Sequence, residues 1–251
     1  PCAACRSRRG CRRRSSWCIH GRRCEHPATV IVVNAQTVPD ELLGCWQRQW
    51  IEFADGSRDD TSFVMWLQLP SLMADVRLAA AALTLAGRSS LSMHELLVIA
   101  DSDSSSGATT CTPVVQRTAS AEWTSDIGFQ PESAFPEPGL LEWRGEGTVM
   151  MEQAPSGAYV EEWHLLPGSR GPLSHSLRAD GSQWFRAGAF GVLVRDRSGP
   201  LPRVSRLTEL TDRAALETAI DCEFSFAVLA DDVWTIQHST VPSRVGALVP
   251  T

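Results

Sequence analysis

The chain contains no lysine and a single tyrosine, Tyr159. Apart from histidine, its basic side chains are all arginine, 23 in number. Arginine codons are GC-rich and lysine codons AT-rich, so a GC-rich genome is the simplest cause. No stretch approaches the roughly 18 consecutive apolar residues that span a bilayer. The longest early apolar run, Val30 to Val33, is too short for the hydrophobic region of a secretory signal. These absences lead to the expectation of a soluble, cytoplasmic protein with no membrane partner. There is no Gly-x-Ser-x-Gly elbow, no P-loop and no dinucleotide fingerprint. The six histidines show no metal-ligand spacing.

What is present divides unevenly. The net charge is −6, but residues 1–33 hold eight arginines and one acid, Glu25, whereas residues 34–251 carry a charge of −13. So acidic a body repels nucleic acid and anionic surfaces. Five of the eight cysteines, Cys2, Cys5, Cys11, Cys18 and Cys24, fall in the first 24 residues, with His20 between them and His26 just beyond. Cys2 and Cys5 form half of a zinc motif, but the later spacings of six, seven and six residues supply no second close pair. The odd count of five in this segment opposes a disulfide scaffold there. The first methionine is Met65, inside a strand-like run. Residues 1–33 are therefore expected to be a disordered or mis-started tail, with residues 1–32 an over-extended reading frame and Val32 or Val33 an alternative start. N-terminal sequencing of native protein tests this, and a mature end before Cys24 overturns it.

Residues 34–251 read as one mainly β domain. Pro39 to Leu43 forms a helical turn ended by Gly44. Cys45 to Phe53 alternates as a strand, Asp55-Gly56 is a turn, and Thr61 to Leu69 is a second strand, apolar on both faces and so covered on both sides. Leu72 to Leu78 is a third. Ser92-x-x-Glu95 is a capping box opening a helix, and Asp101 to Gly107 reads as a serine-rich solvated connection. Further strands are expected near 111–119, 139–144, 147–153, 157–166, 174–179, 182–187 and 189–196. A helix is expected over 211–220, then a hairpin of 223–230 and 233–240 turned at Asp231-Asp232. The proline-rich segment 126–139 reads as a crossover between two halves. Many short strands at this spacing belong to a barrel or sandwich.

Gly44-Cys45-Trp46, after a helical turn and at the start of the first strand, resembles the Gly-x-Trp opening of lipocalin-type barrels. The wider pattern resembles an uncharacterised group of bacterial proteins of lipocalin-like shape. The segments that carry it are Gly44 to Phe53, Ser62 to Arg77, Ala158 to His164 and Asp221 to Phe226. The resemblance implies a lipocalin-like antiparallel barrel of about 8–10 strands, to which the sequence adds two short helices. It also implies that Trp46 closes the barrel floor beneath an arginine that follows the last strand, here Arg244, in a cation–π contact.

Alternation then selects candidate side chains. Arg48 lies between Trp46 and Trp50, Glu161 lies between Tyr159 and Trp163, and His238 follows Trp234 and Ile236. With Trp66 of the second strand, these residues would line an aromatic barrel interior. An inward arginine needs a counter-charge, and Glu161 is the natural one. In one reading Arg48 and Glu161 hold a small, partly apolar ligand, with a ligand carboxylate facing Arg48. In a second they close a filled barrel that serves as an interaction scaffold. In a third Glu161 or His238 is a general acid or base. No cofactor is called for, except that His238 as a haem ligand is an alternative. Asp75 and Arg77 read as a solvated ion pair of little weight. Cys45, Cys111 and Cys222 read as reduced structural thiols.

Overall fold

The computed structural model describes residues 29–30, 36–134 and 136–249. The expectations for the arginine- and cysteine-rich segment lie outside these residues, apart from Thr29 and Val30.

In chain order the strands begin with β1 (Thr29–Val30), β2 (Gly44–Phe53), β3 (Arg58–Asp59), β4 (Phe63–Gln68) and β5 (Leu72–Leu78). They continue with β6 (Ser105–Cys111), β7 (Thr118–Gly128), β8 (Gly139–Arg144), β9 (Val149–Gln153) and β10 (Tyr159–Leu165). The last five are β11 (Leu173–Leu177), β12 (Gln183–Ala187), β13 (Phe190–Arg195), β14 (Glu223–Ala230) and β15 (Val233–Ser239). Strands β2 and β4 to β10 pair in sequence order, all antiparallel, and β10 pairs back onto β2. The result is a closed eight-stranded meander barrel, the lipocalin-like architecture that the resemblance implies. Closure leaves none of its strands with an open edge along its whole length.

The strands expected beyond residue 173 do not enter the barrel. They form a separate six-stranded antiparallel sheet, in the order β1-β11-β12-β13-β14-β15. One face of this sheet, with Phe185, Val192, Phe224 and Phe226, packs on the outer face of β4 and β5, where Met65, Leu67, Ala74 and Val76 are buried. Burial of that apolar surface joins the two layers. Helix α1 (Ala80–Leu83) is a single turn, α2 (Met93–Ala100) is the capped helix, and α3 (Arg213–Ala219) is the third. Ser92 and Glu95 make the expected reciprocal cap: the Glu95 N–H donates to Ser92 Oγ at 3.3 Å and the Ser92 N–H to Glu95 Oε2 at 2.7 Å.

Three local expectations are corrected. Only the end of the serine-rich stretch, Ser105 to Gly107, enters strand β6, and the strand expected at 111–119 is instead a turn, with Gln116 and Arg117 at positive φ. Small side chains in β6 let β7 approach: a Cβ on Gly107 would lie 1.8 Å from the Thr124 carbonyl oxygen. The segment 126–139 links β7 to β8 within one barrel and is no crossover between halves.

The barrel has one closed end. Gly44 opens β2 at φ +127°, a conformation that favours glycine, and a Cβ there would meet Ser169 Oγ at 2.8 Å. The turn Asp40–Leu42 folds across this end, and the Trp46 indole N–H donates to the Leu42 carbonyl at 2.8 Å. Trp46, Leu42, Met73, Trp143, Met150 and Trp163 belong to the interior apolar core. Arg244 does not cover Trp46. It follows the last strand of the second sheet and donates to Glu223 at 2.9 Å. Arg170, which follows the last barrel strand, reaches the carbonyls of Glu41 and Gly147, each at 3.3 Å.

Candidate functional site

The opposite end of the barrel is open. Here β2, β5, β7 and β9 end, and β6, β8 and β10 begin. A cavity of about 480 Å³ reaches inward from this mouth, between the segment after β7 and the barrel wall. Deep in it stand Asp75 and Arg77 of β5, Glu152 of β9, Tyr159 and Glu161 of β10, and the indole of Trp66 from β4. Trp123 of β7 forms a further wall, its ring 5.6 Å from that of Trp66 at 71°, so the two indoles make a corner.

The site is held by a buried charge network. Arg48 donates to Glu161 Oε1 at 2.9 Å, to Asp59 at 3.0 Å and to Ser62 Oγ at 2.7 Å. Ser62 in turn donates to Asp59. Burial opposes the Asp59 charge, but the hydroxyl and amide donors of Ser62 and Thr61 outweigh it and hold the carboxyl down at about 2. Arg77 Nε donates to Asp75 Oδ2 at 2.5 Å, and its Nη1 lies 3.6 Å from Glu161 Oε1. Burial works against the Arg77 charge, yet Asp75 and Glu161 hold it more firmly protonated than usual. Two guanidinium groups thus share Glu161.

Glu152 has no such partner. It lies directly across from Glu161 in the β9–β10 ladder, and the Tyr159 hydroxyl donates to its Oε1 at 3.1 Å. Burial, and then the neighbouring Glu161 charge, push the Glu152 carboxyl up to about 8. Burial also raises Asp75, to about 6, against the pull of Arg77. Gly139 of β8 makes room for the wall: a Cβ there would meet Trp123 Cη2 at 2.5 Å and Glu152 Oε1 at 3.0 Å.

Arg48, Glu161, Trp46, Trp66, Tyr159 and Trp163 all project into the barrel, and Arg48 meets Glu161 as the alternation demands. Only Trp66, Tyr159 and Glu161 of these line the cavity. Arg48 sits behind Glu161 with its donors engaged, so the expected position for a ligand carboxylate facing Arg48 is not formed.

The other candidates are displaced by a β-bulge in the barrel, for Trp50, and by the place of β15 in the second sheet, for Trp234 and His238. Between Glu162 and Trp163 the β10–β2 register shifts, with Trp50 and Arg48 as successive partners and Gln49 left over. An extra residue reverses the sidedness of everything beyond it. Ile51 therefore turns in, packing with Ala154 and Tyr159, and Trp50 turns out, with the Arg58 guanidinium 4.2 Å from its ring centre. A second bulge shifts β14–β15 register at Gln237. Trp234 and Ile236 lie on the outer face of the second sheet, where Trp234 meets Trp184 edge-on at 5.0 Å. His238 passes to the other face and stacks on Phe63 at 3.8 Å. Neither Trp234 nor His238 reaches the barrel interior, so His238 fits neither an interior haem nor an acid–base role in this cavity. Burial lowers its pKa.

Asp75, Arg77, Glu152 and Trp123 are the cavity residues that alternation passes over. Asp75 and Arg77 are not solvated, because on β5 the apolar residues Ala74, Val76 and Leu78 face the second sheet and the charged ones face inward. The signal for this inversion lies next door: β4 is apolar on both faces, so something outside the barrel must cover it. Among the described residues no helix is long and apolar enough to cross a membrane. Comparison with family models, with curated proteins and with solved structures gives no match to this chain.

Proposed function

We propose that the barrel binds a small, partly apolar molecule through its open mouth. The observation that carries this reading is the cavity: about 480 Å³, within the range of roughly 300–1,000 Å³ usual for ligand pockets. It has two flat indole walls and a few convergent polar groups at its base. A filled scaffold barrel would instead continue the apolar core of Trp46, Leu141 and Met150 to the other end. The rim is braced. Gln130, at the root of the segment after β7, donates to the carbonyls of Ala100 and Ser102 and accepts from the Leu207 N–H at 3.0 Å. Arg197, which follows β13, donates to the carbonyls of Gly128 and Phe129 at 3.0 and 2.8 Å. Such bracing lowers the cost of ordering a mouth around a ligand.

A calorimetric screen of the full chain against small partly apolar compounds tests the proposal. Saturable one-to-one binding is expected. Ser125→Trp, which sets an indole into the cavity mouth, should weaken each hit by about tenfold or more. Hits unaffected by Ser125→Trp, or no hits, contradict the reading.

A further inference from the structure

We infer that the molecule the cavity takes is an organic ammonium ion, whose N–H donates to Asp75 at the base of the cavity and whose apolar body lies in the corner of Trp66 and Trp123. The inference rests on the ligand-binding reading above and adds the charge of the ligand.

The first support is the charge of the walls. Asp75 and Glu161 stand at depth beside Arg77, the one lining guanidinium, with Glu152 kept protonated there below about pH 8, and the carboxylates of Glu122, Asp126 and Glu132 stand nearer the mouth. Acids at a mouth focus cations and repel anions.

The second is an unfilled acceptor. Asp75 is 6% exposed, and its Oδ2 takes the Arg77 donor while its Oδ1 is buried and accepts no hydrogen bond. A buried carboxylate oxygen without a donor is costly, so Asp75, which lines the cavity, keeps an acceptor unfilled by the protein. An ammonium group supplies a charge-assisted donor for this oxygen. A carboxylate ligand supplies none.

The third is aromatic. Indole faces attract cations, and most strongly where water is excluded. Trp66 is nearly fully buried and Trp123 half-buried on the same cavity. The acidity thus faces flat apolar walls, as suits a cation with an apolar body and not a hydrated metal ion.

Three probes of similar shape test the inference on the unaltered chain: 2-phenylethylammonium, 2-phenylethanol and phenylacetate, each titrated by calorimetry at low salt. The ammonium ion should bind about tenfold or more tighter than the alcohol, and phenylacetate most weakly. Asp75→Asn, where it folds, should remove most of the ammonium ion's advantage and leave the alcohol unchanged. If the alcohol or phenylacetate binds as tightly as the ammonium ion, the inference is overturned while the binding reading stands. If none of the three binds at millimolar concentration, the inference is overturned, and the binding reading stands or falls by the wider screen above.

Discussion

Glu152 shows most sharply how the cavity controls a single side chain. It is faced by Glu161 and Tyr159 from β10, by Asp75 and Arg77 from β5, and by uncharged Gly139 from β8. An unfolded glutamate ionises near 4.5, and this one near about 8. Because the folded pKa is raised, the stabilisation is full below about 4.5 and is lost as pH climbs through about 8. Asp75 acts with the same sign between 3.8 and about 6. Each pKa unit is worth about 1.4 kcal/mol, so the Glu152 contribution is on the order of a few kcal/mol. Denaturant titrations from about pH 5 to about pH 9 should show the native chain losing stability steadily. Glu152→Gln, which is neutral throughout, should flatten the curve and be the more stable at the alkaline end. Parallel curves for the two chains would contradict this account of Glu152. Arg48 illustrates the opposite case, a charge fully met by Glu161, Asp59 and Ser62 and hidden from the cavity.

At the scale of elements, the spacing between strands decides what the cavity can hold. Gly139 at the start of β8 lets Trp123 and Glu152 approach across it. Gly139→Ala places a methyl group against both, a case of overpacking that costs about 1–3 kcal/mol. It should also shift the Trp123 environment, read as a changed indole resonance together with a lowered denaturation midpoint. A variant with unchanged stability and spectrum would show that the close approach is not a constraint. The same scale explains what the sequence reveals and conceals. β2 and β10 are legible because their alternation is strong, and with them the Arg48–Glu161 pair, while β4 and β5 are legible as apolar runs bounded by turns, though not in which way β5 faces its charges. A bulge residue carries no side-chain signature, so Gln49 and Gln237 look like ordinary strand positions, and Trp50 and His238 are assigned to the wrong faces. β6 is built from Ser, Gly and Thr to let β7 close upon it, and its lack of apolar alternation imitates a loop.

For the whole molecule, the second sheet explains the polar interior. It buries the apolar outer faces of β4 and β5, and β5 can therefore direct Asp75 and Arg77 inward while the barrel remains stable. Arg197 beyond β13 and Gln130 in the β7–β8 connection tie this sheet and the helices to the rim of the mouth. The architecture thus has an apolar closed end, an acidic aromatic open end and an external brace, and its central claim is that the open end admits a ligand. Indole N–H resonances report on this directly, because the tryptophans are distributed over all three regions. On titration with 2-phenylethylammonium, the Trp66 and Trp123 signals should move together and saturate, while Trp184 and Trp234 on the outer sheet stay fixed. Movement confined to Trp184 and Trp234, or no saturable movement of Trp66 and Trp123, would contradict it.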